Sequence, residues 1–132
     1  LDDPIRQHIP ELPAAIDRQA TVTIRHLLSL TSGLRDTLEI ERLRGVWDAA
    51  PGRVGELLAI AYRQTVVSAP AGAQYMYTNV NHVLLEELIA RVTHRPPDAF
   101  RRRAIYAPLG LTNDTNAKPG ATTSQIWGDM MS

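Results

Sequence analysis

Val80 to Thr93 is the longest stretch of this chain whose apolar residues recur at three- and four-residue steps. It is fenced by Pro70-Ala71-Gly72 upstream and by Pro96-Pro97 downstream. That spacing predicts a helix with one apolar face, marked by Val83, Leu84, Leu88 and Val92 and flanked by Leu85 and Ile89. Glu86, Glu87 and Arg91 fall on its wet side, and Glu87 to Arg91 is a favourable i,i+4 pair. His94 and Arg95 suit the negative end of the helix dipole. Such a helix has to bury its face against other elements, so the rest of the chain is read for what can cover it.

Those elements also read as helices. Leu1 to Ala20 is proline-rich (Pro4, Pro10, Pro13) and irregular, with one short helical turn near Ile5–His8. Thr23 reads as an N-cap for a helix carrying Ile24, Leu27 and Leu28, and Gly33 reads as its stop. Leu38, Ile40, Leu43, Val46 and Trp47 give a ragged helical stripe across Arg35 to Ala50, broken by Pro51-Gly52. Val54, Leu57, Leu58 and Ala61 predict a helix over Val54 to Gln64. Thr65-Val66-Val67 reads as a short extended piece entering the Pro70–Gly72 turn. Asp98 to Ile105 reads as a further helix with Phe100 and Ile105 facing in, ended by Pro108-Leu109-Gly110-Leu111. Thr112 to Ser124 reads as a loop. Few segments alternate with period two, so the expected fold is mainly α with little sheet. At 132 residues the default is one compact unit, here 1–132 as a single helical domain or subdomain.

Composition removes several function classes. Lys+Arg and Asp+Glu are both 14, so bulk charge gives no reason to expect a polyanionic partner. Arg101-Arg102-Arg103 is the one basic run, and three consecutive residues point in three directions around a helix. We read it as a solvated or salt-bridged face, and expect no nucleic-acid partner. With no cysteine, disulfides, thiol nucleophiles and zinc–thiolate sites are excluded. His26 has no second ligand at i+4, so it reads as a surface or packing histidine and no metal site is expected. No apolar run approaches the roughly 20 residues that span a bilayer. Leu1-Asp2-Asp3-Pro4 lacks an initiator Met and reads as the interior of a longer polypeptide.

The chemistry-bearing stretch is Tyr75-Met76-Tyr77-Thr78-Asn79, between the turn and the long helix. Residues two apart in an extended segment point to one side, so Tyr77 and Asn79 can face one cavity with Thr78 turned away. A phenol that moves a proton, beside an amide that both donates and accepts, suits a site handling an amide or ester carbonyl. The plainer alternative is a Tyr packed on the core and an Asn capping the helix that follows.

Several segments then line up in order: Leu1-Asp2-Asp3-Pro4, Thr21 to Leu34 with its Thr31-Ser32-Gly33-Leu34, Pro70 to Asn79, and Ile105 to Thr112. Their order and spacing resemble the serine β-lactamase-like, penicillin-binding family of class C β-lactamases, D-alanyl-D-alanine carboxypeptidases and β-lactamase-fold esterases. The resemblance runs to about Thr115. It implies the helical subdomain of the serine β-lactamase/DD-peptidase fold, lacking most or all of the α/β sheet domain that would pack on it. It also implies a penicillin-recognising serine hydrolase that cleaves a β-lactam, a D-Ala-D-Ala peptide or an ester through an acyl-serine, with no cofactor. Carried over, Tyr77 is the proton-shuttling tyrosine, Asn79 holds the substrate's amide, and Ser32 lies in a structural turn outside the chemistry. The partners implied are a small-molecule or peptide substrate and the sheet domain, and a periplasmic or secreted parent is favoured over a cytoplasmic one.

The family's Ser-x-x-Lys nucleophile motif does not occur in these 132 residues, whose one lysine is Lys118. Ser32-Gly33-Leu34-Arg35, Thr115-Asn116-Ala117-Lys118 and Lys118-Pro119-Gly120 imitate the family's motifs without meeting them. In the family the nucleophile helix ends shortly before the segment matched by Leu1 to Pro4. The expectation is therefore a fragment without its nucleophile, inactive alone. The alternative is a non-catalytic helical binding module on the same scaffold.

Overall fold

A computed structural model describes residues 1–43, Gly45 and 54–111. Among the described residues six α-helices follow one another: α1 (Ile5–His8), α2 (Ile24–Leu28), α3 (Thr37–Leu43), α4 (Val54–Ala61), α5 (Asn79–Thr93) and α6 (Pro97–Arg101). A 3₁₀ turn at Ala14–Asp17 lies between α1 and α2, and α6 runs on into a π-helical turn at Arg102–Tyr106. Among the described residues there is no strand, and the one bridge pairs Pro4 with Thr23. The mainly helical expectation therefore holds. No described helix is long and apolar enough to cross a membrane.

The helix read first from the sequence is the centre of the packing. α5 contacts α1, α2, α3, α4 and α6. Val80 and Leu84 are fully buried, and Val83 and Leu88 nearly so. Val92, expected on this face, is 61% exposed instead. The buried row steps 80, 84, 88 and then reaches Arg91, and an arginine takes the end of the face. Arg91 Nη1 and Nη2 donate to the two carboxylate oxygens of Glu11, each at 2.9 Å, Nη1 also donates to the His8 carbonyl at 3.2 Å, and Nε donates to Glu87 at 2.6 Å. These hydrogen bonds raise the pKa of Arg91 and hold the Glu11 carboxyl below its ordinary range. The predicted Glu87–Arg91 pair thus forms as half of a larger clamp onto the N-terminal segment.

That N-terminal segment supplies much of the core. Ile5, Ile9, Leu12 and Ile16 are each at most 2% exposed. Their steps of four, three and four are helical, but Pro10 and Pro13 stop the helix from running through, so short turns deliver the same face. Backbone bonds from Ile5 N to Val22 O (2.9 Å) and Ile24 N to Asp3 O (3.2 Å) tie the segment to the start of α2. Asp17 Oδ1 accepts from Val22 N at 2.9 Å and closes the intervening loop.

Thr23 caps α2 as its sequence predicts: its hydroxyl accepts from His26 N at 3.3 Å, while its own N–H donates to His26 Nδ1 at 3.2 Å. The stop is not Gly33. α2 ends at Leu28, Leu30 takes the left-handed conformation (φ 57), and Thr31 N reaches back to His26 O at 2.9 Å. Beyond α5, His94 adopts the left-handed conformation that ends it. The expected 98–105 helix is instead α6 plus the π turn. A π turn takes more residues per revolution than an α turn, which swings Ile105 off the α6 face, and Ile105 is 46% exposed. Arg101 is turned into ion pairs with Asp98 and Glu86, whereas Arg102 and Arg103 are exposed. Val46, Trp47 and the Pro51-Gly52 break, and everything from Thr112 on, lie outside the described residues.

Candidate active site

The Tyr-x-Asn stretch is placed by the segment that follows α2. Residues 68–76 lie along 30–33, joined by Ser68 N to Gly33 O, Gly72 N to Thr31 O and Met76 N to Leu30 O, each 2.8 Å. Within it Pro70 O accepts from Ala73 N at 3.1 Å, and Gly72 has φ +81, as the third residue of a type II turn requires. His26 packs under that turn: a Cβ on Gly72 would stand 3.2 Å from its Nε2. His26 is therefore a capping and packing residue. Among the described residues no three His, Asp or Glu side chains form a metal-holding group.

At Tyr77 to Asn79 the side chains alternate, as extended backbone dictates. Thr78 is 4% exposed and Tyr77 57% exposed. The Tyr77 hydroxyl donates to Asn79 Oδ1 at 3.3 Å, so the two residues singled out from sequence meet on one side. The plainer alternative fails on both counts. Tyr77 is not packed in the core, and Asn79 is the first residue of α5 rather than its cap. The Tyr77 ring also lies against the His82 ring, centroids 5.7 Å apart and tilted by 48°.

Behind this pair is a buried polar chain. Asn81 is 0% exposed, and its Nδ2 donates to Thr78 Oγ1 at 2.9 Å and to Thr78 O at 3.3 Å. Its Oδ1 accepts from Ser32 Oγ at 2.5 Å, and Ser32 Oγ in turn accepts from Leu34 N at 3.2 Å. Each polar atom named has a partner, which burial demands. Ser32, at 1% exposure, is thus committed to holding the Tyr-x-Asn backbone. This matches its reading as a turn residue. The two imitations around Lys118 lie outside the described residues.

On the other flank stands Asp36, which the sequence reading did not single out. Its Oδ2 accepts from Asn79 Nδ2 at 2.9 Å and from Asn79 N at 3.3 Å, and its Oδ1 accepts from Leu38 N at 2.9 Å. An Asp just ahead of the Leu38–Ile40 stripe is an N-cap signal. Nothing local announces its reach to a residue 43 positions away. Chemically, the site offers an exposed phenol and a fixed carboxamide side by side, equipment for gripping a polar group and passing a proton beside it.

The Beta-lactamase family model matches residues 1–128. A D-aminopeptidase from Cereibacter sphaeroides is 32% identical over 99 residues, 70% of this chain but 19% of that protein's length. Among solved structures, the octameric penicillin-binding protein homologue from Pyrococcus abyssi superposes with a TM-score of 0.69 and 26% identity, covering 85% of this chain and 26% of the other. The D-amino acid amidase from Ochrobactrum anthropi SV3 does so with a TM-score of 0.64 and 30% identity, covering 86% of this chain and 30% of the other. The chain thus spans about a fifth of the curated D-aminopeptidase it matches.

Proposed function

This chain belongs to the Beta-lactamase family, and we propose that it is the helical part of a serine hydrolase that cleaves amide bonds of D-configured amino-acid substrates through an acyl-serine. The observation that carries the proposal is the contact of the exposed Tyr77 hydroxyl with the Asn79 carboxamide, at the mouth of the family's Tyr-x-Asn element. Tyr77 takes the nucleophile's proton and returns it to the leaving group, while Asn79 hydrogen-bonds the substrate's amide. The nucleophilic serine and its lysine come from outside these 132 residues. A free phenol has a pKa near 10, so a tyrosine base needs a neighbouring positive charge, and that lysine supplies it. The D-specificity rests on the substrates named for the D-aminopeptidase and the D-amino acid amidase.

The absence of Ser-x-x-Lys supports a second reading, a non-catalytic binding module on the same scaffold. One experiment separates the two. The full-length protein is incubated with a D-amino-acid amide, its L-enantiomer and a fluorescent penicillin, alongside the 132-residue chain. The proposal expects turnover of the D-amide, a covalent acyl adduct on a serine of the full-length protein, and no label on the short chain. Labelling of the short chain, or a full-length protein that neither turns over nor acylates, overturns it.

A further inference from the structure

We infer that Asp36 is a positioning residue that fixes which way round the Asn79 carboxamide stands beside Tyr77. An ionised carboxylate only accepts hydrogen bonds. Asp36 Oδ2 sits 2.9 Å from the Asn79 side-chain nitrogen, so that nitrogen is the end drawn toward Asp36. The carboxamide is planar, and its oxygen is therefore left pointing the other way. There it meets the Tyr77 hydroxyl at 3.3 Å. With the amide reversed, two acceptor oxygens would face each other at the carboxylate, and the phenol would face an N–H.

Asp36 is itself held. Its second oxygen accepts from Leu38 N at 2.9 Å at the start of α3. The backbone just before it is gripped by Gln64, whose Oε1 accepts from Arg35 N at 3.1 Å and whose Nε2 donates to Arg35 O at 2.7 Å. The carboxylate thus forms a rigid bridge from the start of α3 to the start of α5. In this arrangement Asn79 turns its oxygen to the Tyr77 hydroxyl and keeps a second side-chain N–H beyond the one given to Asp36, free to donate to a substrate carbonyl. This inference rests on the proposed role of Asn79 for its catalytic consequence, but not for the structural link itself.

The test separates the bridge from the cap. Asp36→Ser keeps a good N-cap for α3, since serine serves there as well as aspartate, but leaves Asn79 Nδ2 without its carboxylate. In the full-length protein, the Asn79 side-chain amide protons are followed by NMR. The wild type should show a protected pair, one proton displaced by the carboxylate, and Asp36→Ser should return both to the range of solvent-exposed asparagines. Unchanged Asn79 amide signals in Asp36→Ser overturn the inference. On D-amino-acid amides, Asp36→Ser should lower kcat/KM by about 10²-fold, the scale of a misplaced substrate ligand. In an Asn79→Ala background the same change should cost nothing further, because a residue acting through Asn79 has nothing left to position. An equal loss in both backgrounds overturns the inference. If Asp36→Ser does not fold, Asp36→Asn replaces it. Its single acceptor oxygen can serve Leu38 N or Asn79 Nδ2 but not both, so a partial loss is expected and wild-type behaviour counts against us. A wild-type protein that turns over no amide defeats the proposed function, while the NMR result still decides the link.

Discussion

Gly33 lies so close to Ala69 that a Cβ placed on it would overlap the Ala69 carbonyl oxygen. Gly33 also holds φ +70, a conformation that penalises any other L-residue. The neighbour is backbone, so it cannot swing aside as a side chain would. Gly33→Ala should therefore destabilise the fold by about 3 kcal/mol or more, combining strain with forced separation of two paired segments. Gly72→Ala should cost less, about 1–2 kcal/mol, because its Cβ would meet the tip of the His26 ring. Denaturant unfolding of the two variants checks the order, and equal losses would refute it.

Ser32 and Asn81 should behave as one unit. Ser32→Ala leaves Asn81 Oδ1 without its donor inside the core, a loss of about 1–3 kcal/mol. Asn81→Ala should cost a similar amount by stranding Ser32 and Thr78. The double variant should lose clearly less than the sum, since neither partner is then left behind. Simple additivity in thermal or chemical unfolding would show the pair to be uncoupled.

Tyr77→Phe removes only an exposed hydroxyl, so stability should stay within about 0.5 kcal/mol of wild type. Turnover of a D-amino-acid amide by the full-length protein should fall by about 10²–10⁴-fold. A variant that unfolds, or one that keeps its rate, contradicts the role assigned to this phenol.

Acid should loosen the clamp between α5 and the N-terminal segment. The hydrogen bonds from Arg91 hold the Glu11 carboxyl below its ordinary value. A carboxyl whose pKa drops on folding stabilises the fold above its unfolded pKa, and that contribution fades as pH falls through the folded one. Melting temperatures of wild type and Glu11→Gln should therefore differ at pH 7 and converge below about pH 4, the ordinary glutamate value being about 4.3. A gap that persists into acid would place the effect elsewhere.

Much of this was legible in the residues, and the exceptions have physical reasons. The central helix, the Thr23 cap and the meeting of Tyr77 with Asn79 follow from short-range rules of spacing and capping. The core made by Ile5, Ile9, Leu12 and Ile16 was present as spacing, but the prolines broke its apparent period and the segment read as merely irregular. Val92 was misplaced because periodicity carries no knowledge that Glu11 and the His8 carbonyl would draw Arg91 to the end of the buried row. Asp36 and Asn81 were invisible for another reason. Their partners are 43 and 49 positions away, and only the completed fold brings them together.

The grip of Gln64 on both backbone groups of Arg35 fastens the chain between them at its base. The described parts of the 36–63 excursion, α3 and α4, both pack on α5, and the site is anchored beside this knot by Ser32, Gly33 and the turn. The fastening works as a hasp, holding the two ends of the excursion at one point beside the site. Asp36, just inside the knot, carries the position of that fastening directly to Asn79.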